Sequence, residues 1–149
     1  MSATRSTVPT VRAALVALLA ARPALAGVQV EYTHPLEAIE DEAIFLGDSR
    51  GTAEIATIRA ARKSRQESYT IDVWVEVNRD GPTAQDASER AWTLAGEVGD
   101  MLADDPSLGL TQPFWAVLEE SDQGVYVDDA RRGYVSRVRL GIHCEARLT

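Results

Sequence analysis

Gln66-Glu67-Ser68-Tyr69-Thr70-Ile71-Asp72-Val73-Trp74-Val75-Glu76-Val77-Asn78, followed by Arg79-Asp80-Gly81-Pro82-Thr83 and Ala84-Gln85-Asp86-Ala87, is the stretch on which the fold turns. Tyr69, Ile71, Val73, Val75 and Val77 recur at period two, with Thr70, Asp72, Glu76 and Asn78 between them, so the spacing predicts a strand with one buried and one solvated face. Asp80-Gly81-Pro82 breaks the alternation with turn-forming residues. Thr83 then stands at an N-cap position, with Asp86 three places on in a near variant of the capping box. Over 84–103 the period lengthens to that of a helix: Ala87, Ala91, Leu94, Val98 and Leu102 share one stripe of the wheel.

Towards the N-terminus, Arg5 and Arg12 precede and enter an apolar run over 13–21, and Ala24-Leu25-Ala26 before Gly27 imitates a signal-peptidase site. Val11, Ala14, Leu15, Leu18 and Leu19 nevertheless form a stripe at helical spacing with Arg12 and Arg22 off it, the pattern of a helix that faces a core. Ser6 or Thr7 can cap that helix, Pro9 is tolerated in its first turn, and Arg22-Pro23 should end it. The reading is therefore a folded helix rather than a leader.

Between these helices the pattern predicts a strand over 28–33, an acidic loop over 34–42, a short strand over 43–46 and a turn at Gly47-Asp48. A second extended segment over 52–62 should pair with 66–78, giving a long hairpin with Arg59, Arg62, Lys63 and Arg65 at or near its tip. After the central helix come an apolar segment over 115–118, a turn near Gln123-Gly124, a short piece over 125–127, a turn at Arg132-Gly133 and a last strand over 134–148. The expected class is α+β: one domain over 1–149, a mixed or antiparallel sheet with a long β-hairpin, packed by an N-terminal and a central helix.

Composition bounds the function. A chain of 149 residues buries roughly 68–70% of its unfolded surface in one core. Hydrophobic content of 45% with 26% charged residues is ordinary for a globular chain, and no run approaches the ~20 apolar residues of a spanning helix. A net charge of −8 argues against broad nucleic-acid affinity, which needs a local surplus of Lys and Arg. The single cysteine excludes an intrachain disulfide and a multi-cysteine metal site.

No residue cluster carries obvious reaction chemistry, and neither an enzyme, a cofactor nor a metal site is expected. His143 beside Cys144 suggests a nucleophile with its base, but neighbours in a strand point apart: Cys144 falls with Val138, Leu140 and Ile142, and His143 with Arg137, Arg139, Glu145 and Arg147. The acidic stretches 37–42, 100–105 and 119–129 lack the spacing of a calcium loop and read as solvated surface.

Gly96 and Gly99 are unusual, since each costs about 1 kcal/mol relative to alanine inside a helix. With Ser88 and Trp92 they make a second stripe beside the core stripe, where another backbone could approach closely: a subunit contact or packing under the chain's own loop. Basic residues gather at 59–65 and 131–147, including Arg131 and Arg132, and acidic ones on the central helix, the first loop and the segment before Arg131. Unlike patches of this kind suit head-to-tail association, which closes into a ring when the rotation permits.

The order of elements, with Glu42-Ala43-Ile44-Phe45-Leu46-Gly47, Tyr69-Thr70-Ile71-Asp72-Val73-Trp74-Val75, Ala87-Ser88-Glu89-Arg90-Ala91 and Asp105-Pro106-Ser107-Leu108-Gly109, resembles the tail terminator proteins of long-tailed bacteriophages. The resemblance implies a hexameric ring that caps the tail tube, stops its polymerisation and docks on the head connector, at the head-proximal end of the tail, after assembly in the host cytoplasm. Its partners would be further copies of itself, the tail tube protein and the head-tail connector protein, with DNA sliding through an acidic lumen without specific binding and no membrane involved. The candidate interface residues, from the stripe and the basic patches, are Arg59, Arg62, Lys63, Arg65, Ser88, Trp92, Gly96, Gly99, Arg131 and Arg132. A connector or tail-tube subunit is the nearest alternative. A dimeric small-molecule-binding domain, with Trp74 lining its pocket, is a more distant one.

Overall fold

The computed structural model describes residues 6–36, 39–59, 62–79, 83–111, 114–128 and 133–148, with side chains at 6–36, 39–51, 65–78, 83–111, 114–125 and 133–148. In chain order the elements are α1 (Val8–Ala21), a short 3-10 turn (Pro23–Leu25), β1 (Gln29–Glu31), β2 (Glu42–Arg59), β3 (Arg62–Arg79), α2 (Ala84–Asp104), β4 (Phe114–Asp128) and β5 (Gly133–Leu148). The five strands form one sheet in the order β1-β2-β3-β5-β4, antiparallel throughout except for β1, which runs parallel to β2. The class is α+β, as the pattern indicated. No described helix is long and apolar enough to cross a membrane.

Both helices lie on one face of the sheet, and the two predicted stripes meet there. Val11, Leu15 and Leu19 of α1 and Ala87, Ala91, Leu94, Val98 and Leu102 of α2 join one buried cluster with Ile71, Val73, Val75 and Val77 of β3 and Leu140, Ile142 and Cys144 of β5. Each fully buried Leu, Ile or Val there contributes roughly 1.5–3 kcal/mol of transfer free energy. Thr83 caps α2 as expected, its Oγ1 accepting from the Asp86 N–H at 3.3 Å. Arg22 ends α1 in an extended conformation before Pro23 and reaches across to Glu97 of α2 at 2.8 Å.

The N-terminus of α1 is held differently from the expected local cap. Thr7 occupies the N-cap position without a side-chain cap of its own; Ser6 Oγ accepts from the Val8 N–H at 3.1 Å. A carboxylate from the sheet supplies the rest: Glu67 Oε1 accepts from the Thr7 N–H at 2.9 Å and from Thr7 Oγ1 at 2.6 Å, and Tyr69 Oη lies 2.8 Å from the same hydroxyl. All three residues are buried. The charge sits at the positive end of the helix dipole, which favours it.

Three strand expectations are corrected. The segment 43–46 and the extended segment from 52 to 59 are one strand, β2, because Gly47-Asp48 is a bulge and not a turn: pairing passes from Leu46↔Val73 to Ser49↔Ile71, setting two residues against Asp72 alone, while Arg62 already belongs to β3. Arg12 pins the bulge by donating to Gly47 O at 2.6 Å and Ser49 Oγ at 2.7 Å, and Trp74 covers it so closely that a Cβ at Gly47 would lie 2.6 Å from the indole nitrogen. Likewise 115–118 and 125–127 belong to one strand, β4, in which Gln123 and Gly124 pair with Val138 and Arg137 and the irregularity falls between Leu118 and Glu120. The first strand is shorter than 28–33, reaching only from Gln29 to Glu31. The turn at Asp80-Gly81-Pro82 lies outside the described residues, as do Arg5 and Glu37.

The polar face of β3 is also less exposed than a half-buried strand implies. Asp72, Glu76 and Asn78 are all buried, because β3 is the central strand and arginines from both neighbours lie over it. Arg139 reaches Asp72 at 3.1 Å, Arg50 reaches it at 3.0 Å, and Arg137 reaches Glu76 at 3.0 Å while standing over the Trp74 ring at 5.6 Å. On the helix-free face of the sheet the carboxylates of β3 are thus paired and buried, while their outer partners Arg50, Glu120 and Asp122 remain exposed.

Candidate assembly interface

The basic hairpin forms where the sequence placed it. β2 and β3 remain paired out to Arg59↔Arg62, with Ile58↔Lys63 one step before, while the pairing of β3 with β5 begins only at Arg65↔Leu148. Beyond Arg65 the hairpin therefore continues as two strands with no third beside them among the described residues. Arg65 is exposed, and Arg59, Arg62 and Lys63 occupy the last strand positions before the tip. Residues 60 and 61, Arg131 and Arg132 lie outside the described residues, and so do the side chains of Arg59, Arg62 and Lys63.

The second predicted stripe runs along the seam between α2 and β4, the outermost strand. At one end Ser88 Oγ accepts from Gln123 Nε2 at 2.8 Å, and the same amide donates to Ser136 Oγ of β5 at 2.8 Å. At the other end a Cβ on Gly99 would sit 3.6 Å from Leu118 Cδ2, an ordinary contact, so Gly99 lets the helix lie close to the strand without strict need for a bare backbone. Trp92 and Gly96, between those ends, are exposed, and a Cβ at Gly96 would meet nothing within 4 Å. Same-chain packing thus accounts for Ser88 and Gly99 and leaves the middle of the stripe open.

A shallow cavity of about 240 Å³ opens at the Gly99 end, with Leu102, Pro106, Ala116 and Leu118 in its wall. There the chain's own α2–β4 connection closes the first step of the strand edge, the Ala116 N–H donating to Pro106 O at 2.8 Å. Further along, β4 has no strand on its outer side among the described residues. Trp115, Val117, Leu118 and Val125 of β4 and Trp92 of α2 are each more than 40% exposed, five of the seven exposed large hydrophobic residues among those described.

The basic C-terminal stretch does not form a free patch. Arg139 pairs with Asp72, with Glu120 at 3.0 Å and with Asp122 at 2.7 Å, and Arg137 with Glu76, so much of the apparent charge segregation is neutralised across neighbouring strands. These hydrogen bonds, led by that to Asp122, hold the Arg139 guanidinium well above its ordinary pKa. Glu42 is likewise engaged by Arg90 at 2.6 and 3.0 Å. The acidic stretches are solvated only in part.

His143 and Cys144 face opposite ways, as strand geometry required. Cys144 is fully buried, and burial first, with the nearby carboxylates second, pushes its thiol up to about 12. Such a thiol is inert at neutral pH. His143 is half-buried, 2.9 Å from Glu145 and 3.6 Å from Glu119, with its ring 5.7 Å from that of Trp115. Burial would raise the Glu145 carboxyl, but hydrogen bonds from Gln66, His143 and Ser68 outweigh it and hold the group below its ordinary value. Trp74, considered for a pocket wall, is instead packed between Gly47 and Arg137.

No protein-family model matches the chain, and no curated protein matches it. Solved structures do, and 29 of their chains match. The fold is shared with a chain of a virion. That chain comes from the structure described as the virion of native gene transfer agent (GTA) particle; it is 14% identical, with a TM-score of 0.66, and the match covers 97% of this chain and 99% of that one. Identity at this level shows the fold alone.

Proposed function

We propose that the protein is a structural, non-enzymatic virion component that caps the tail tube as a ring, terminates tail polymerisation and offers the docking surface for the head connector. The observation that carries the virion part is the fold shared over nearly the whole of both chains with a component of a gene transfer agent virion. The terminator role within a virion rests on the resemblance of the segments 42–47, 69–75, 87–91 and 105–109 to that family. Three features are consistent with ring assembly: a projecting hairpin with four basic residues, an outer strand open on one side, and an acidic total charge of −8 that lets DNA pass a lumen without adhering. In this role the protein acts by shape and charge, and Arg59, Arg62, Lys63, Arg65, Trp92 and Gly96 are its candidate contact residues, together with Arg131 and Arg132, which lie outside the described residues.

Negative-stain electron microscopy of the purified protein, alone and mixed with tail tubes, tests the reading. Single rings, or density on one end only of each tube, are expected. Long stacked tubes would make it a tube subunit, and small particles that ignore tubes would refute the tail reading altogether.

A further inference from the structure

β3 buries three carboxylates, and their partners differ. Asp72 has Arg50 and Arg139, and Glu76 has Arg137, but Glu67, only 7% exposed, meets no Lys, Arg or His among the described residues. Glutamate is seldom buried without a cation, because the carboxylate gives up its hydration. The compensation that Glu67 receives is confined to one of its two oxygens: Oε1 accepts from the Thr7 N–H at 2.9 Å and from Thr7 Oγ1 at 2.6 Å. Thr7 Oγ1 spends its only proton there, so in its 2.8 Å contact with Tyr69 the phenol is the donor, and Tyr69 Oη keeps its lone pairs. Glu67 Oε2 accepts from no described donor, yet it is not among the fully enclosed unpartnered atoms, so it is reached from outside. The way in is a cavity of about 330 Å³ between Ser6 and Val8 at the start of α1, Ser49 and Gly51 of β2, and Glu67 and Tyr69 of β3. Arg50 borders it too, but its guanidinium is turned to Asp72 on the helix-free face.

We infer that this cavity binds a guanidinium, the tip of an arginine side chain presented by a partner protein. The wall offers acceptors: the free oxygen of Glu67, the phenolic oxygen of Tyr69, and the hydroxyls of Ser6 and Ser49, which accept from the Val8 N–H at 3.1 Å and from Arg12 at 2.7 Å and keep a second lone pair each. Acceptors spread around a space of this size suit the several N–H groups of a guanidinium better than the single nitrogen of an ammonium, and its weak hydration suits a wall that includes Val8 and the Tyr69 ring. A bare metal ion would need a closer set of oxygen ligands, and no group of three or more His, Cys, Asp or Glu able to hold one occurs among the described residues. With Arg50 engaged by Asp72, the wall has no free cation for the carboxylate of an unattached amino acid, so the arginine arrives on a polypeptide. Bound there, it pairs the third carboxylate of β3 as the chain's own arginines pair the other two. The inference stands apart from the proposed ring.

Titration of the full-length protein with N-acetyl-arginine methylamide, followed by the methyl resonances of Val8, tests it. The citrulline analogue, of the same shape and uncharged, is the control, and the methyl groups of Val125 at the opposite border of the sheet report binding elsewhere. Methyl spectra can be read for a monomer or a ring, so the result is independent of assembly. A saturable shift at Val8 is expected, with a dissociation constant on the order of 10 mM for the isolated side chain, and none with the citrulline compound. Free arginine should bind no tighter than the capped form. Glu67→Gln, which keeps an acceptor for Thr7 but removes the charge, should weaken binding about tenfold or more. Ser6→Phe, at an exposed position, leaves Glu67 and Thr7 in place and closes the mouth of the cavity; it should weaken binding as much, and it decides the matter if Glu67→Gln fails to fold. No shift at Val8, an equal shift with the citrulline compound, equal shifts at Val8 and Val125, or a shift that survives either substitution in a folded protein would overturn the inference. Arginine binding tighter when its carboxylate is free would assign the cavity to a small molecule and refute the partner side chain.

Discussion

Replacing Glu67 should destabilise the protein more than any other change of a single charged residue on the helix-bearing face, because its carboxylate both caps α1 and ties that helix to β3. In Glu67→Ala the Thr7 N–H and Oγ1, now 2.9 and 2.6 Å from the carboxylate, lose their acceptor at a residue that is 1% exposed. Hydrogen bonds to charged groups contribute about 1.5–3 kcal/mol each, and an orphaned buried donor costs about 1–3 kcal/mol. Tyr69 Oη remains as a partner for the hydroxyl and offsets part of that loss. The net expectation is about 3 kcal/mol for Glu67→Ala. For Glu67→Gln, which keeps an acceptor but gives up the charge at the helix N-terminus, it is about 1 kcal/mol. With about 2–4 °C per kcal/mol for a chain of this size, Glu67→Ala should melt about 6–12 °C lower. Urea unfolding followed by the fluorescence of the three tryptophans gives the midpoints, with an unchanged slope showing that the transition remains comparable. Thr7→Val, alone and combined with Glu67→Ala, closes a double-mutant cycle whose coupling should exceed about 1 kcal/mol. A Glu67→Ala midpoint within about 0.5 kcal/mol of the wild type, or Gln as damaging as Ala, would refute the long-range cap.

Three further outcomes follow from the geometry. Gly96→Ala should raise stability by about 1 kcal/mol, since the new methyl group meets nothing and the helix gains its propensity; loss of assembly in a more stable protein, read by sedimentation, would mark the position as a contact with another copy. Gly51→Ala should lower the urea midpoint by about 2 kcal/mol, because its Cβ would run into the Ser68 carbonyl and the Tyr69 backbone across the strand pair. Stability should fall at alkaline pH: the folded-state Cys144 pKa, raised by burial to about 12, lies above the unfolded value, so its contribution is complete below about pH 8.5 and lost as pH rises toward 12, with Tyr69, also raised by burial, acting in the same direction. Cys144→Ala should flatten the first part of that decline in melts between pH 8 and 11.

The helix and strand periods were legible because they are local. Five apolar residues at period two between Tyr69 and Val77, and five on one stripe between Ala87 and Leu102, can bury their faces in only one way each, and both did. Position within the sheet is not local. Gly47-Asp48 and Gln123-Gly124 have the composition of turns, yet each continues a strand, since Arg12 and Trp74 clasp the first and β5 pairs along the second. For the candidate interface, the basic hairpin is readable as a run of charge. The open edge of β4 is not, because exposure along a strand depends on which strands neighbour it.

Sequence alone determined the class, the two helices, the buried faces of β3 and β5, and the separation of His143 from Cys144, all of which depend on the period of side chains along one segment. Tertiary structure decided which strand is central and hence that Asp72 and Glu76 are buried beneath arginines from β2 and β5, and Asn78 beside them, rather than solvated. It also decided that a carboxylate sixty residues away caps α1, and that Arg137 and Arg139 are neutralised within the chain. Charge and hydrogen bonding are satisfied across space, between residues whose separation along the chain carries no signal, so they become legible only once the sheet has brought its strands together.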